Sequence, residues 1–168
     1  MVEVQPLSQE HDRVAFDCGV PALNDFLRRT ARQHQEKGVS RTFVLVDSDS
    51  PTPRRIIGYF ALSACEAVTA VLPANLAKRL PRTIPAVLLW RPAVHRAFHG
   101  HGYGSVLLVE AVRRVATTSS LIGIAGLFVD AKDDAAAAFY RRFGFVPLRD
   151  NPHRLFLPLD TLVQIAGR

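Results

Sequence analysis

Residues 90–104 read Trp90-Arg91-Pro92-Ala93-Val94-His95-Arg96-Ala97-Phe98-His99-Gly100-His101-Gly102-Tyr103-Gly104. An apolar strand predicted over 86–95 leads into three alternating glycines and then directly into an amphipathic helix predicted over 104–116. Glycines permit a tight strand-to-helix turn, and a helix N-terminus offers unpaired N–H groups and a partial positive charge. The stretch therefore predicts an α/β fold with a backbone cradle for a pyrophosphate, although tight turns also use glycine for geometry alone. It is neither a P-loop nor a G-x-G-x-x-G motif.

Strands and helices alternate on both sides of this turn. The predicted strands cover 2–7, 41–47, 56–63, 86–95, 125–130, 145–148 and 154–157, and the predicted helices cover 20–37, 73–80, 104–116 and 134–143. We expect Asp17 to cap the first helix, and Gly38 and Gly144 to end the first and last. The strands at 41–47 and 56–63 form a hairpin. This order predicts a mixed α/β sheet with helices on both faces, in a single domain spanning 1–168.

Composition excludes several classes of protein. Of the 168 residues 48% are apolar and 21% are charged, which is ordinary for a globular chain and unlike a disordered one. No apolar run is long enough to span a membrane, and residues 1–10 lack the features of a secretory signal. Two cysteines, Cys18 and Cys65, cannot form a disulfide framework or a zinc site alone, so we expect reduced thiols in a cytoplasmic protein.

The charge is uneven along the chain. The net charge is +6, and it arises from 6 basic against 8 acidic residues in 1–50 and 15 basic against 7 acidic residues in 51–168. Most of the basic residues are arginines, whose planar guanidinium binds phosphate oxygens in pairs. The excess is consistent with an uninvolved basic surface or with a polyanionic partner, namely a nucleotide cofactor, RNA or an acidic protein.

A second informative stretch covers 130–145. It reads Asp130-Ala131-Lys132-Asp133-Asp134-Ala135-Ala136-Ala137-Ala138-Phe139-Tyr140-Arg141-Arg142-Phe143-Gly144-Phe145. Four consecutive alanines at the start of a helix allow close approach of a slender ligand, or simply tight packing against the sheet. Tyr140 near the end of this helix is a packing residue or an acid.

Together the two stretches resemble the GNAT family of acetyl-CoA-dependent N-acetyltransferases. The family's Gln/Arg-x-x-Gly-x-Gly/Ala segment corresponds to 99–104, with His99 in place of Gln or Arg, and its Phe-Tyr-x-x-x-Gly-Phe motif corresponds to 139–145. The resemblance covers essentially the whole chain. It implies a mostly antiparallel sheet that is splayed between the fourth and fifth predicted strands, with acetyl-CoA as cosubstrate.

Shorter segments resemble the GNAT toxins of bacterial type II toxin–antitoxin modules. These segments are Phe16-Asp17-Cys18-Gly19, Ala22-Leu23-Asn24-Asp25-Phe26-Leu27, Gly58-Tyr59-Phe60-Ala61-Leu62-Ser63, Asp130-Ala131-Lys132-Asp133 and Leu155-Phe156-Leu157-Pro158-Leu159. Such toxins acetylate the α-amine of aminoacyl-tRNA, block translation and are neutralised by ribbon-helix-helix antitoxins. The resemblance further implies a homodimer.

The resemblance assigns roles to individual residues. Tyr140 protonates the leaving thiolate, because a phenol is a mild acid toward a thiolate. The implied cofactor-binding residues are Ala93, Val94, His99, Gly100, His101, Gly102, Tyr103, Gly104, Ser105, Asp133, Phe139 and Arg142. Among these the backbone of Ala93 and Val94 pairs with the pantetheine arm, an arrangement that the missing N–H of Pro92 alters. The neutral fraction of the substrate's α-amine makes a strong general base dispensable.

RNA binding requires further positive surface. The candidates are Arg28, Arg29, Arg32, Lys78, Arg79, Arg82, Arg91 and Arg96. His95, His99 and His101 lack the regular spacing of a metal site and have no nearby carboxylate in sequence, so we expect no metal. A role of His95 as a base or in steering the substrate stays open.

Two other functions remain compatible with the sequence. The first is a GNAT enzyme for a small-molecule or protein amine, which shares the cofactor site but not the toxicity. The second is a non-catalytic module that binds acetyl-CoA or RNA.

Overall fold

The computed structural model describes residues 1–168. The strands are β1 (Val2–Pro6), β2 (His11–Asp12), β3 (Arg41–Asp47), β4 (Arg54–Val68), β5 (Thr83–Val94), β6 (Gly126–Asp130), β7 (Val146–Pro147) and β8 (Arg154–Pro158). The helices are α1 (Pro21–Asp25), α2 (Ala31–Glu36), α3 (Ala74–Ala77), α4 (Tyr103–Ser119), α5 (Asp134–Arg142) and α6 (Leu159–Ala166). A π-helical turn, Phe26–Thr30, joins α1 to α2.

The strands follow the order β1-β3-β4-β5-β6-β8-β7, with β2 beside β4. The pairs β1–β3, β3–β4, β6–β8 and β7–β8 are antiparallel, whereas β2–β4 and β5–β6 are parallel. This mixed and mainly antiparallel α/β sheet confirms the predicted fold class and the predicted hairpin. Parallel pairing of β5 with β6 ends at Leu89 and Val129, whereas β5 continues to Val94.

The chain divides into two compact units. The first, here called the N-terminal unit, contains Met1–Ser63 and Pro92–Glu110. Its core combines Leu27 and Ala31 from the first helical segment with Phe16, Val44 and Tyr59. The Tyr59 hydroxyl donates to the carbonyl oxygen of Leu23 at 2.7 Å, which satisfies the polar end of this buried ring.

The second, here called the C-terminal unit, contains Ala64–Arg91 and Ala111–Arg168. Its core includes Leu72, Ile84, Leu148 and the ring pair of Phe128 and Phe156, whose centroids lie 4.7 Å apart. In the same unit, Leu162 and Ile165 of α6 are also buried. None of the helices in the structure has the length and apolar content that crossing a lipid bilayer requires.

Several sequence predictions differ from the structure. The helix predicted over 20–37 is divided into α1 and α2 by the π-helical turn Phe26–Thr30. Asp17 does not cap the first helix, because that helix begins at Pro21 with Val20 as N-cap, and the Asp17 carboxylate instead accepts the N–H of Gly19 at 2.9 Å. The strand predicted over 56–63 extends from Arg54 to Val68, and its last residues alternate in exposure rather than staying buried. Helix α6 was not predicted, because it follows β8 without any turn residue between them.

Candidate active site

The glycine-rich turn links β5 to α4 within the N-terminal unit. Gly100 has φ of 80° and Gly102 has φ of 78°, in the left-handed region that residues with a Cβ rarely occupy. A Cβ built on either glycine would meet no atom within 4 Å, so glycine is required here for backbone conformation and not for space. The open space beside the turn leaves its backbone accessible to a ligand.

The start of α4 presents free backbone donors at this turn. The first helical hydrogen bond runs from the N–H of Val106 to the carbonyl oxygen of Gly102, at 3.3 Å. The preceding N–H groups of Tyr103, Gly104 and Ser105 therefore have no partner one turn earlier in the helix. Together with the positive end of the 17-residue helix dipole, these N–H groups are donors of the kind that anions bind at helix N-termini.

Two histidines tie the turn together. His99 Nε2 lies 2.8 Å from the carbonyl oxygen of Val94, and His101 Nδ1 lies 2.9 Å from that of His99. Since a carbonyl only accepts, both ring nitrogens carry protons and donate. His99 is the position that departs from the family pattern, and its hydrogen bond holds the loop to Val94. The resemblance assigns the backbone of Val94 to the pantetheine arm as well. No group of three His, Cys, Asp or Glu side chains in the structure is arranged to hold a metal.

His95 is built into the core beneath the turn. Its ring is 8% exposed and stands edge-on to Phe16 and Phe98. Nδ1 accepts the N–H of Ala97 at 3.1 Å, so the lone pair that a general base would need is already engaged. Burial, followed by the charge of Arg55, lowers the pKa of His95. These contacts give His95 a structural role beside the turn.

The buried histidines predict a pH-dependent stability. Burial also lowers the pKa of His11, whose Nδ1 accepts the N–H of Ser8 at 3.0 Å. Below about pH 6.5 the unfolded chain therefore binds protons that the folded chain resists. The free energy of unfolding should be highest above this pH and should decrease as the pH falls below it. The Tm measured from pH 8 to 5 should show this decline.

A double variant, His11→Asn/His95→Asn, is the matched test of that prediction. Asparagine keeps an acceptor close to the position of Nδ1 but does not titrate. Its Tm should change less with pH over this interval than that of the wild type. An unchanged pH slope in the double variant would contradict the assignment of the decline to these two residues.

Tyr140 is the candidate acid, and it lies on α5 in the C-terminal unit. The residue is 5% exposed, and its ring packs edge-on against Phe139 and Phe145, with centroids 5.3 and 5.5 Å away. No hydrogen bond holds its hydroxyl within the chain. Burial raises the pKa of Tyr140 well above its ordinary value, and the positive charge of Arg91 acts in the opposite direction. Tyr140 is therefore a protonated phenol with a free donor.

Other predicted residues on α5 have defined contacts. The Asp133 carboxylate accepts the N–H of Ala136 at 2.8 Å and so caps the helix, which occupies one of its oxygens. Phe139 is half-buried, and the exposed Arg142 holds its guanidinium carbon 5.8 Å from the centre of that ring. Gly144 ends the helix with φ of 101°, as predicted.

The arginines proposed for RNA binding fall into different situations. Arg28 also takes part in the fold, because its guanidinium donates to the carbonyl oxygen of Phe16 and its buried Nε has no partner. Arg32 and Arg96 form ion pairs with Glu36 and Asp17, at 3.4 and 3.1 Å. The remaining candidates are half-buried or exposed: Arg29, Lys78, Arg79, Arg82 and Arg91.

Sequence reasoning missed Arg55. It is the second residue of β4. Its guanidinium carbon nevertheless lies 5.0 Å from the ring centre of Phe98, immediately before the glycine turn. Phe98 in turn contacts Tyr103 edge-on, with centroids 6.2 Å apart. Nothing in the local sequence connects residue 55 with residues 98–103, since only the pairing of β4 with β5 brings them together.

The sheet order defines this chain as an α/β protein, and the free N–H groups at the start of α4 suit a phosphate-bearing cofactor. A search with known families matches residues 38–147 to the acetyltransferase (GNAT) domain. The chain belongs to the GNAT family of acetyltransferases. This confirms the family inferred from the two motifs.

Individual relatives are similar over nearly their full length. A Mycobacterium tuberculosis protein named tRNA-acetylating toxin is 34% identical, over 96% of this chain and 94% of that protein. The structure of AtaT complexed with acetyl-methionyl-tRNAfMet superposes with a TM-score of 0.89 at 32% identity, covering 98% of this chain and 99% of that one. A further match is a tyrosine-to-phenylalanine mutant of the AtaT toxin, solved with acetyl-CoA and the C-terminus of the antitoxin AtaR. It superposes with a TM-score of 0.80 at 32% identity, covering 99% of both chains.

Proposed function

We propose that this chain transfers the acetyl group of acetyl-CoA to the α-amine of an aminoacyl-tRNA and thereby blocks translation. The observation that carries the proposal is similarity over almost the whole chain to a tRNA-acetylating toxin and to a toxin solved with its acetylated aminoacyl-tRNA. The protein acts in the cytoplasm as a toxin that a cognate ribbon-helix-helix antitoxin neutralises. The whole of 1–168 serves as one catalytic domain, and two copies form a homodimer.

The turn between β5 and α4 holds the cofactor in this proposal. The N–H groups of Tyr103, Gly104 and Ser105 receive the pyrophosphate oxygens, with the helix dipole adding to the attraction. The backbone beside Ala93 and Val94 aligns the pantetheine arm. Because these contacts are made by the backbone, they need few positive side chains, and the arginines remain available for RNA.

Acetyl transfer requires only modest acid–base help. The neutral amine nitrogen forms a bond to the thioester carbonyl carbon, and the carbon–sulfur bond breaks with its electron pair going to sulfur. The Tyr140 hydroxyl gives its proton to that sulfur, the new ammonium loses a proton to water, and water returns a proton to Tyr140. Burial raises the pKa of the Tyr140 phenol, and buried surroundings raise the pKa of the leaving thiol for the same reason. Proton transfer from the phenol to the sulfur therefore stays feasible.

The experiment that tests this function is a translation extract supplied with the protein and labelled acetyl-CoA. Label on aminoacyl-tRNA, together with arrested protein synthesis, is expected. Label found only on proteins or small amines would identify the alternative GNAT activity, and no transferred label at all would identify a non-catalytic binding module. Either of those results overturns the proposal.

Glycine substitutions test the cradle itself. Gly104 has ordinary φ and open space, so Gly104→Ala should fold normally and even gain up to about 1 kcal/mol from the better helix propensity of alanine. Its methyl group would nevertheless stand beside the N–H donors. The Kd for acetyl-CoA, measured by calorimetry, should therefore rise about tenfold, which corresponds to the loss of roughly one charge-assisted hydrogen bond. Gly123→Ala, also in open space, is the control. An unchanged Kd in Gly104→Ala would place the pyrophosphate elsewhere.

A further inference from the structure

A groove on the N-terminal unit carries more positive charge than the fold uses. It has a volume of about 400 Å³ and brings together Arg13 after β2, Arg32 and Glu36 on α2, and Arg41 at the start of β3. We call this surface, with the adjoining Gln35, the arginine groove. Three arginines from separate parts of the chain thus line one space that has a single carboxylate residue in its lining.

The guanidinium groups keep most of their donors free. Arg41 is exposed and has no ion pair. Arg13 uses only one terminal nitrogen, which donates to the carbonyl oxygen of Arg28 at 3.3 Å. Arg32 contacts Glu36 through Nε at 3.4 Å, so both of its terminal amino groups remain available. These are the nitrogens with which arginine holds a phosphate in a bidentate manner.

The base of the groove carries a neutral, hydrogen-bonded side chain, Gln35. Gln35 donates through Nε2 to the carbonyl oxygen of Leu7 at 3.2 Å and accepts the N–H of Thr42 through Oε1 at 3.1 Å. Its amide thereby joins α2 to the backbone before β2 and to β3. The arginines therefore stand beside a neutral amide that is held by two hydrogen bonds, and Glu36 is the single carboxylate residue in the lining.

We propose that the arginine groove binds the phosphodiester backbone of the RNA substrate, independently of its base sequence. The proposal rests on the proposed function and specifies where the body of the tRNA lies on the protein. The volume suits a nucleotide-sized group. An acidic protein segment fits less well, because docked helices need an apolar surface, and the only apolar residue lining the groove, Leu7, is buried.

The test compares two full-length variants that lose the same charge. Arg13→Gln/Arg41→Gln alters the groove, and Arg149→Gln/Arg168→Gln removes two exposed arginines that have no assigned role. Binding of deacylated tRNA is measured by fluorescence anisotropy across a salt series. The groove variant should bind about tenfold or more weakly at 0.1 M salt, and its log–log salt slope should decrease by about two. The control variant should match the wild type.

Two further variants extend the test. Arg41→Gln changes only an exposed side chain and guards against misfolding, and its salt slope should decrease by about one. Glu36→Gln removes the single carboxylate and should tighten binding about two- to threefold, since it removes a weak surface repulsion. In the groove variant, kcat/KM for a full aminoacyl-tRNA should decrease relative to kcat/KM for an aminoacyl ester that lacks the RNA body.

The outcomes separate the inference from the function on which it rests. If the wild type does not acetylate aminoacyl-tRNA, the proposed function fails. If it does, and the groove variant binds tRNA like the control, the arginine groove is not the RNA site. Loss of antitoxin binding with tRNA affinity intact would likewise overturn the inference and assign the groove to an acidic peptide. Competition by inorganic phosphate as strong as that by tRNA would identify a free-anion site instead.

Discussion

The variant Tyr140→Phe is expected to lower kcat by about 10²- to 10³-fold, while the KM for acetyl-CoA stays within about twofold. The substitution removes only a hydroxyl that has no partner in the chain, and it keeps the ring contacts with Phe139 and Phe145. The Tm should therefore remain near that of the wild type. Steady-state kinetics with aminoacyl-tRNA and acetyl-CoA, together with calorimetric binding of acetyl-CoA, provide the measurement.

A second tyrosine supplies the contrasting control. Tyr59→Phe also deletes one hydroxyl, but this one donates to Leu23 in the core of the N-terminal unit. It should lower the free energy of unfolding by about 1 kcal/mol and leave kcat unchanged. Full activity in Tyr140→Phe would exclude the acid role, and a loss of kcat accompanied by an equal loss of stability would mean that Tyr140 only supports packing.

The pH profile of the wild type follows from the same residue. Because burial raises the pKa of Tyr140, the phenol stays protonated across the physiological range. The rate should therefore increase with pH as the substrate's α-amine, a group with an ordinary pKa near 8, loses its proton. At higher pH the rate should reach a plateau. A decline between pH 8 and 10 would indicate an acid with a lower pKa than Tyr140.

Replacing Gly126 by alanine should have the largest effect on stability. Its Cβ would lie 2.5 Å from Cζ of Phe156 and closer still to the carbonyl oxygen of Leu157, a backbone atom of the paired strand β8 that cannot move alone. We expect a loss of about 3 kcal/mol or more in the free energy of unfolding, the upper range for overpacking. For a chain of this size that corresponds to a decrease in Tm of about 6–12 °C.

The matched control lies three residues away. Gly123 has no neighbour within 4 Å of an added Cβ, so Gly123→Ala should change the Tm by no more than about 2 °C. Thermal unfolding followed by circular dichroism is sufficient for both variants. Equal Tm values for the two alanine variants would show that β6 and β8 can separate at Gly126.

Much of the candidate site could be predicted from local sequence. The alternating glycines of 100–104 require a tight turn, and the helix that follows supplies donors whatever the rest of the chain does. Gly144 could be assigned to the end of α5 by the same reasoning. The prediction that Asp17 caps the first helix was wrong, because capping depends on the residue at which the helix begins, and that helix begins at Pro21.

The sequence by itself determined the backbone features of this protein, namely the α/β order, the glycine-rich turn and the family to which its motifs belong. These follow from φ preferences, periodicity and helix termini, which are properties of neighbouring residues. Only the tertiary structure decided how the charged side chains are used. It buries part of Arg28 against Phe16, places Arg55 over Phe98 and brings Arg13 beside Arg41. Charge interactions act through space, so residues far apart in sequence share a site only after the strands have paired.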